Sequence, residues 1–130
     1  MAPGYTQEES ETIRSFVRER RRSRKLDIKA RLLAAQADCD AIISMIAREH
    51  KPLRIYQWGS LVTGGHFSER SDIDIAMEGI TDPAELSAIR RLAEKMTQLP
   101  LDIVAIEHVH PVYAEQIRRR GRVAYAQHGT

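Results

Sequence analysis

The stretch from Gln57 to Met77, QWGSLVTGGHFSERSDIDIAM, holds the residues of this chain best suited to chemistry. In Ser71-Asp72-Ile73-Asp74-Ile75-Ala76, acidic and apolar residues alternate with period two. Side chains at i and i+2 share one face of a strand. Asp72 and Asp74 are therefore predicted to point one way, and Ile73 and Ile75 the other, into a core. Two carboxylates about 7 Å apart along a strand are poor neighbours unless a cation sits between them or water screens both. Hard oxygen donors of this kind suit Mg²⁺, which keeps several waters and completes its shell from substrate phosphates. Upstream, Gly59-Ser60 supplies the complement. Glycine lets the backbone turn sharply or approach a ligand, and the serine presents a hydroxyl and an amide to a phosphate oxygen. Gly64 and Gly65 keep the intervening loop permissive. Asp-x-Asp alone is common at solvated strand ends, and Gly-Ser alone says less. Together, joined by a loop short enough to bring them side by side, they make a nucleotide site.

Gly59-Ser60, an eleven-residue spacer and Asp72-Ile73-Asp74 resemble the signature of the DNA polymerase β-like nucleotidyltransferase superfamily. The small size points to its minimal nucleotidyltransferase branch, which includes the antitoxins paired with HEPN-domain ribonucleases. The resemblance covers residues 52–126. The spacer is one residue longer than the usual form of about ten, a difference that a loop absorbs without moving its ends. The resemblance implies transfer of a nucleoside monophosphate, most simply AMP from ATP, to an acceptor hydroxyl. It implies that Asp72 and Asp74 bridge Mg²⁺ and that Gly59 and Ser60 hold the triphosphate. Asp102 becomes the third acid, a metal ligand and the base for the acceptor. In the HEPN-paired members that acceptor is a tyrosine of the toxin, and the modification silences it. Read from the residues alone, Asp102 in Leu101-Asp102-Ile103-Val104-Ala105-Ile106 is either exposed at the end of the sheet or held there for chemistry.

The elements that must position these residues follow from the rest of the chain. A length of 130 residues suits one domain with a real core. Hydrophobic content of 42% and charged content of 29% are those of a globular protein, not of a disordered one. No apolar run reaches membrane-spanning length, and the polar N-terminus lacks the apolar region of a secretory signal. The single cysteine, Cys39, cannot form an internal disulfide, so a reducing cytoplasm is expected, with Cys39 packed on a helix as a small hydrophobe.

Thr6-Gln7-Glu8-Glu9 fits a capping box and starts a first helix. A second is predicted over about Asp27 to His50. Its apolar seam is Ile28, Leu32, Ala35, Cys39, Ile42 and Ile46, and Pro52 ends it. Residues 53–58, 71–77 and 101–106 read as strands, with Arg122 to Ala126 as an added edge. Asp82-Pro83-Ala84-Glu85 opens a helix with Leu86, Ile89, Leu92, Ala93 and Met96 inward. Pro111 opens the last helix, with Tyr113 and Ile117 inward and Gly121 at its end. The histidines form no ligand set; His66, in the phosphate-side loop, reads as solvated. The expected fold is α+β (or mixed α/β): a small mixed sheet backed by helices. A helical N-terminal extension, residues 1–51, precedes a minimal nucleotidyltransferase domain, residues 52–130.

Such a chain is too short to carry the substrate domain of larger relatives, so its acceptor site is expected on a partner such as a HEPN-type toxin. Self-association through the N-terminal helices is the other protein contact considered. Two readings of a different class compete with enzymatic transfer. One is a binding module with a vestigial site that neutralises its partner by contact. The other is nucleic-acid binding through the run RERRRSRK at Arg18 to Lys25. No aromatic residue interleaves those charges, so stacking on single strands is not indicated and a solvated or protein-facing helix surface is preferred. At near-physiological salt the protein is expected not to bind RNA or DNA. Binding that is abolished by Arg20→Ala/Arg21→Ala/Arg22→Ala, with the steep salt dependence of phosphate contacts, would reverse that preference.

Overall fold

A computed structural model describes residues 4–59 and 72–128. Its first element, α1 (Gln7–His50), is one continuous helix. The expected capping box opens it: the Thr6 amide donates to Glu9 Oε2 and the Glu9 amide to Thr6 Oγ1, each at 3.1 Å. Two helices were expected here, and one is found. No glycine or proline occurs between Gln7 and His50, and the arginine run consists mostly of good helix formers, so nothing breaks the ladder. The helix stops where Lys51 turns left-handed at φ 46°, just before Pro52.

Compactness divides the chain into residues 1–33 and 34–130. In the first unit Ile13, Phe16, Val17 and Ile28 are exposed, and the Arg20 guanidinium lies 5.9 Å from the centre of the Phe16 ring. The predicted seam is therefore buried only from Ala35 onward, as Ala35, Cys39, Ile42 and Ile46; Ile28 and Leu32 stay exposed. Helical period alone does not say where a partner surface begins. Burial pushes the Cys39 thiol up to about 12, with the Asp40 charge adding to it, so Cys39 packs as a neutral hydrophobe.

The second unit is built on a four-stranded sheet of order β3-β2-β1-β4. Its strands are β1 (Arg54–Trp58), β2 (Ile73–Glu78), β3 (Leu101–Ala105) and β4 (Arg122–Ala126). β1 runs antiparallel to both β2 and β4, and β2 runs parallel to β3, so the sheet is mixed, as expected. A parallel pair needs a crossover, and α2 (Pro83–Glu94) provides it. Asp82 caps α2 by accepting from the Ala84 amide at 3.2 Å, and Pro83 sits in its first turn. Leu86, Ile89 and Ala93 are buried, whereas Leu92, predicted inward, is exposed. A short 3-10 turn (Ile106–His108) leads from β3 to α3 (Pro111–Arg120).

The sheet has an apolar layer on each face. Ile55, Ile73, Ile75, Met77, Ile103 and Ala105 pack with the second half of α1 and with α2. Tyr56 and Ala76 pack on the opposite side with Ile106 and with Ala114 and Ile117 of α3. Gln57 faces the α1 side and is only 1% exposed, and its amide is satisfied there. It donates to Gln36 Oε1 at 3.0 Å, and its own carbonyl accepts from Gln36 and from Arg122. This network ties α1, β1 and β4 in a single register, because an unpaired amide at that depth is costly. Thr97 to Asp38 at 2.7 Å and His50 to Glu85 at 2.9 Å join α1 to the α2 segment. Among the described residues no helix is long and apolar enough to cross a membrane. The uneven burial along α1 sets an expectation for chemical denaturation. Ile46→Ala should cost about 2–5 kcal/mol, whereas Ile13→Ala should stay within about 0.5 kcal/mol of wild type.

Candidate active site

The site is assembled at one end of the three strands β1, β2 and β3. In β2 the alternation predicted from sequence holds: Ile73 and Ile75 are fully buried in the layer under α1 and α2, which turns Asp74 and Ala76 to the α3 side. Asp72 immediately precedes the strand. Its amide and that of Ile73 both donate to the Pro100 carbonyl, at 3.0 and 3.2 Å, which pins the start of β2 beside the start of β3. Asp72 is 1% exposed and Asp74 6%.

β3 brings the third acid. Asp74 is the register partner of Asp102 across the parallel pair, and neighbouring strands lie about 4.8 Å apart. Ile103 and Ala105 fill the core-facing parity and Val104 the other, so Asp102 stands on the same face as Asp74. Unlike the other two acids it is exposed, within reach of an incoming group.

On the other flank, Trp58 of β1 is the register partner of Asp74, and Gly59 follows it at φ +80°. A Cβ added to Gly59 would lie 2.2 Å from Asp74 Oδ2. Glycine is required here twice over, for its backbone conformation and for the space that the carboxylate occupies. α3 closes this side. His110 caps it by accepting from the Val112 amide at 3.2 Å. Tyr113 packs edge-on against Trp58, with ring centres 5.3 Å apart and planes at 89°. Burial, with the charges of Asp102 and Asp74 behind it, raises the Tyr113 phenol above its ordinary value, so it stays neutral beside the two carboxylates.

The structure thus brings Gly59, Asp74 and Asp102 side by side, with Asp72 buried at the start of the same strand. Ser60, Gly64, Gly65 and His66 lie outside the described residues. Among the described residues no three His, Cys, Asp or Glu side chains are clustered to hold a metal by themselves. A pair of facing carboxylates does fit Mg²⁺, which binds through one or two carboxylates, its own waters and substrate phosphates rather than in a full protein cage. Sequence reasoning overlooked the α3 side of the site. Tyr113, predicted inward, is 42% exposed, and Ala114 takes the buried place. The signals were the position of Trp58 beside Gly59 and the spacing of Tyr113, Gln116 and Arg120 along one side of a helix.

The family model for polymerase beta nucleotidyltransferases matches residues 40–129. The chain belongs to this family. Solved structures agree with that assignment in fold. A chain from a toxin–antitoxin crystal structure with AMP-PNP aligns at a TM-score of 0.56 and 22% identity, covering 68% of this chain and 74% of that one. A chain from the toxin–antitoxin pair MntA–HepT aligns at 0.54 and 20% identity, covering 71% and 73%. A structure described as a minimal nucleotidyltransferase aligns at 0.55 and 27% identity, covering 70% of this chain and 93% of that one. No curated protein sequence matches the chain. The expected branch, the minimal nucleotidyltransferase domain, is thereby supported.

The contact between Gly59 and Asp74 can be tested by stability alone. Gly59→Ala should destabilise the nucleotidyltransferase domain by about 1–3 kcal/mol from backbone strain, with the steric clash adding to it. Asp74→Ala should relieve the sharpest of those clashes. The double variant is therefore expected to be more stable than the sum of the two single losses, and simple additivity in urea denaturation would show that the two residues do not meet.

Proposed function

We propose that this chain is a Mg²⁺-dependent nucleotidyltransferase that moves AMP from ATP to a hydroxyl of a partner protein, and that it serves as the antitoxin of a HEPN-type toxin. The observation that carries the chemistry is the register pairing of Asp74 with Asp102, with the Gly59 backbone against the Asp74 carboxylate. The toxin–antitoxin complexes among its structural neighbours, one of them with AMP-PNP, support the nucleotide and the class of partner.

In this reading Gly59 and Ser60 receive the triphosphate, because a turn of this kind offers amides and a hydroxyl to phosphate oxygens. Asp74 and Asp102, the neighbouring pair, would hold the metal, and the resemblance adds Asp72 at the start of the same strand as a further ligand. When bound, Mg²⁺ supplies charge neutralisation at the phosphate oxygens and orients them for in-line displacement. The acceptor oxygen bonds to the α-phosphorus as the bond to pyrophosphate breaks, and Asp102 takes the acceptor's proton. Its exposure suits that task, since the acceptor arrives from outside the chain. Transfer of this type relies on positioning and electrostatics more than on covalent help from the protein. The helical extension, residues 1–51 in the division proposed from sequence, is assigned to protein contacts, with the partner or with a second copy.

Calorimetry should show ATP binding that needs Mg²⁺ or Mn²⁺ and is lost in Asp72→Asn/Asp74→Asn; unchanged, metal-independent binding in that variant would remove the site assignment. Asp102→Asn is nearly isosteric, so the protein should fold and bind ATP, yet transfer labelled AMP to a co-expressed HEPN partner about 10²–10⁴-fold more slowly. If Asp102→Asn silences the partner as well as wild type does, neutralisation is by contact and the enzymatic reading fails.

A further inference from the structure

No described residue of the first unit is buried, yet its helix is not polar all round. Glu9, Ile13, Phe16, Arg20 and Arg24 follow one another at steps of four, three, four and four, so they share one side of α1. Val17 stands beside Phe16 on that side. Two hollows open along it, one bordered by Tyr5, Thr6, Glu9 and Ile13, the other by Phe16, Val17, Arg20, Arg21 and Arg24. The Arg20 guanidinium lies over the Phe16 ring, and Phe16 is still 62% exposed. Helices in proteins draw most of their stability from packing an apolar face, so a row of exposed aromatic and aliphatic side chains points to a covering surface.

The order of charges along this side selects the occupant. Glu9, with Glu8 beside it, makes the N-terminal end acidic; Ile13, Phe16 and Val17 make the middle apolar; Arg20, Arg21 and Arg24 make the other end basic. Turned end for end, that order is its own complement. We infer that this side of α1 pairs antiparallel with the same side of a second copy, about a two-fold axis between Phe16 and Val17. The inference deepens the assignment of the extension to protein contacts by choosing the second copy, and it does not depend on nucleotide chemistry. A two-fold interface is isologous, so each contact is made twice. Phe16 of one copy packs on Val17 of the other at the centre, Ile13 lies along the stem of Arg20, and Glu9 meets Arg24 at each end. An apolar middle with a charged rim is the usual anatomy of a protein interface. A parallel pair would instead set the arginines of one copy against those of the other. A nucleic acid would meet Glu8, Glu9 and the apolar middle as well as the arginines, and a uniformly acidic protein would be repelled at the Glu8–Glu9 end. From Glu9 to Arg24 the helix spans about 23 Å, so the contact is short and the association weak.

Sedimentation equilibrium of the full-length protein, without nucleotide or toxin, tests the pairing. At about 100 µM and low salt the wild type should approach twice the chain mass of 14.8 kDa. Phe16→Glu/Val17→Glu, at two exposed positions, should weaken the dimer at least about tenfold and leave the urea transition of the nucleotidyltransferase domain unchanged. Orientation is read by a short bismaleimide cross-linker. Glu9→Cys and Arg24→Cys proteins should be joined when mixed and not when treated separately, since the natural Cys39 is buried. A monomer at that concentration overturns the inference, whether or not the protein then assembles with a toxin or with RNA. So does a dimer that Phe16→Glu/Val17→Glu leaves intact, because it would be formed elsewhere on the chain. Cross-linking of either cysteine variant alone, or none in the mixture, overturns the antiparallel pairing and the inference with it. None of these outcomes touches the proposed transfer of AMP, which stands or falls on ATP binding and Asp102→Asn.

Discussion

Gly59 and the Asp74 carboxylate lie so close that any side chain at position 59 would collide with it, and much of the second unit serves to keep them there. The approach requires β1 and β2 to pair with Trp58 opposite Asp74. A slip of one residue would turn Asp74 into the core and Ile73 or Ile75 toward α3, exchanging a carboxylate for apolar side chains on both faces at once. The isoleucines of β2 and the buried acids therefore enforce one register together. The Gln57 network reinforces it from the next position along β1, by tying that strand to α1 and to Arg122 of β4.

The sheet's two faces divide the labour. The side under α1 and α2 is a large aliphatic layer, which supplies the rigidity that a site on strands needs. The side under α3 is thinner and mixed, with Tyr56, Ala76 and Ile117 giving way toward the strand ends to Trp58, Asp74 and Asp102. Asp102, the exposed acid, stands where the second layer gives out, because an unpaired carboxylate is costly under a hydrophobic helix.

α1 shows how far a periodic pattern can be trusted. Its apolar residues repeat with helical spacing from Ile28 to Ile46, and the helix forms throughout. Yet only the residues from Ala35 onward are buried, since burial depends on where the sheet lies and not on the helix itself. The same limit applied to Leu92 of α2 and to Tyr113 of α3, both assigned inward from spacing and both exposed. Within a strand the outcome is simpler: Ile103 and Ala105 face the core and Asp102 the other side, because a period of two leaves only two faces to choose between.

By itself the sequence determined the local elements, the alternation that separates Asp74 from its isoleucine neighbours, and the family signature Gly59-Ser60 with Asp72-Ile73-Asp74. These are short-range consequences of backbone geometry, capping and side-chain period, and they need no distant partner to be legible. Only the tertiary structure decided that Asp102 sits directly across from Asp74, that Gly59 borders the carboxylate, and that α3 brings Tyr113 and Gln116 into one pocket with Trp58 of β1. Those relations depend on strand order and register across segments well separated along the chain. Pairing and packing select them from many arrangements that the same local pattern would allow.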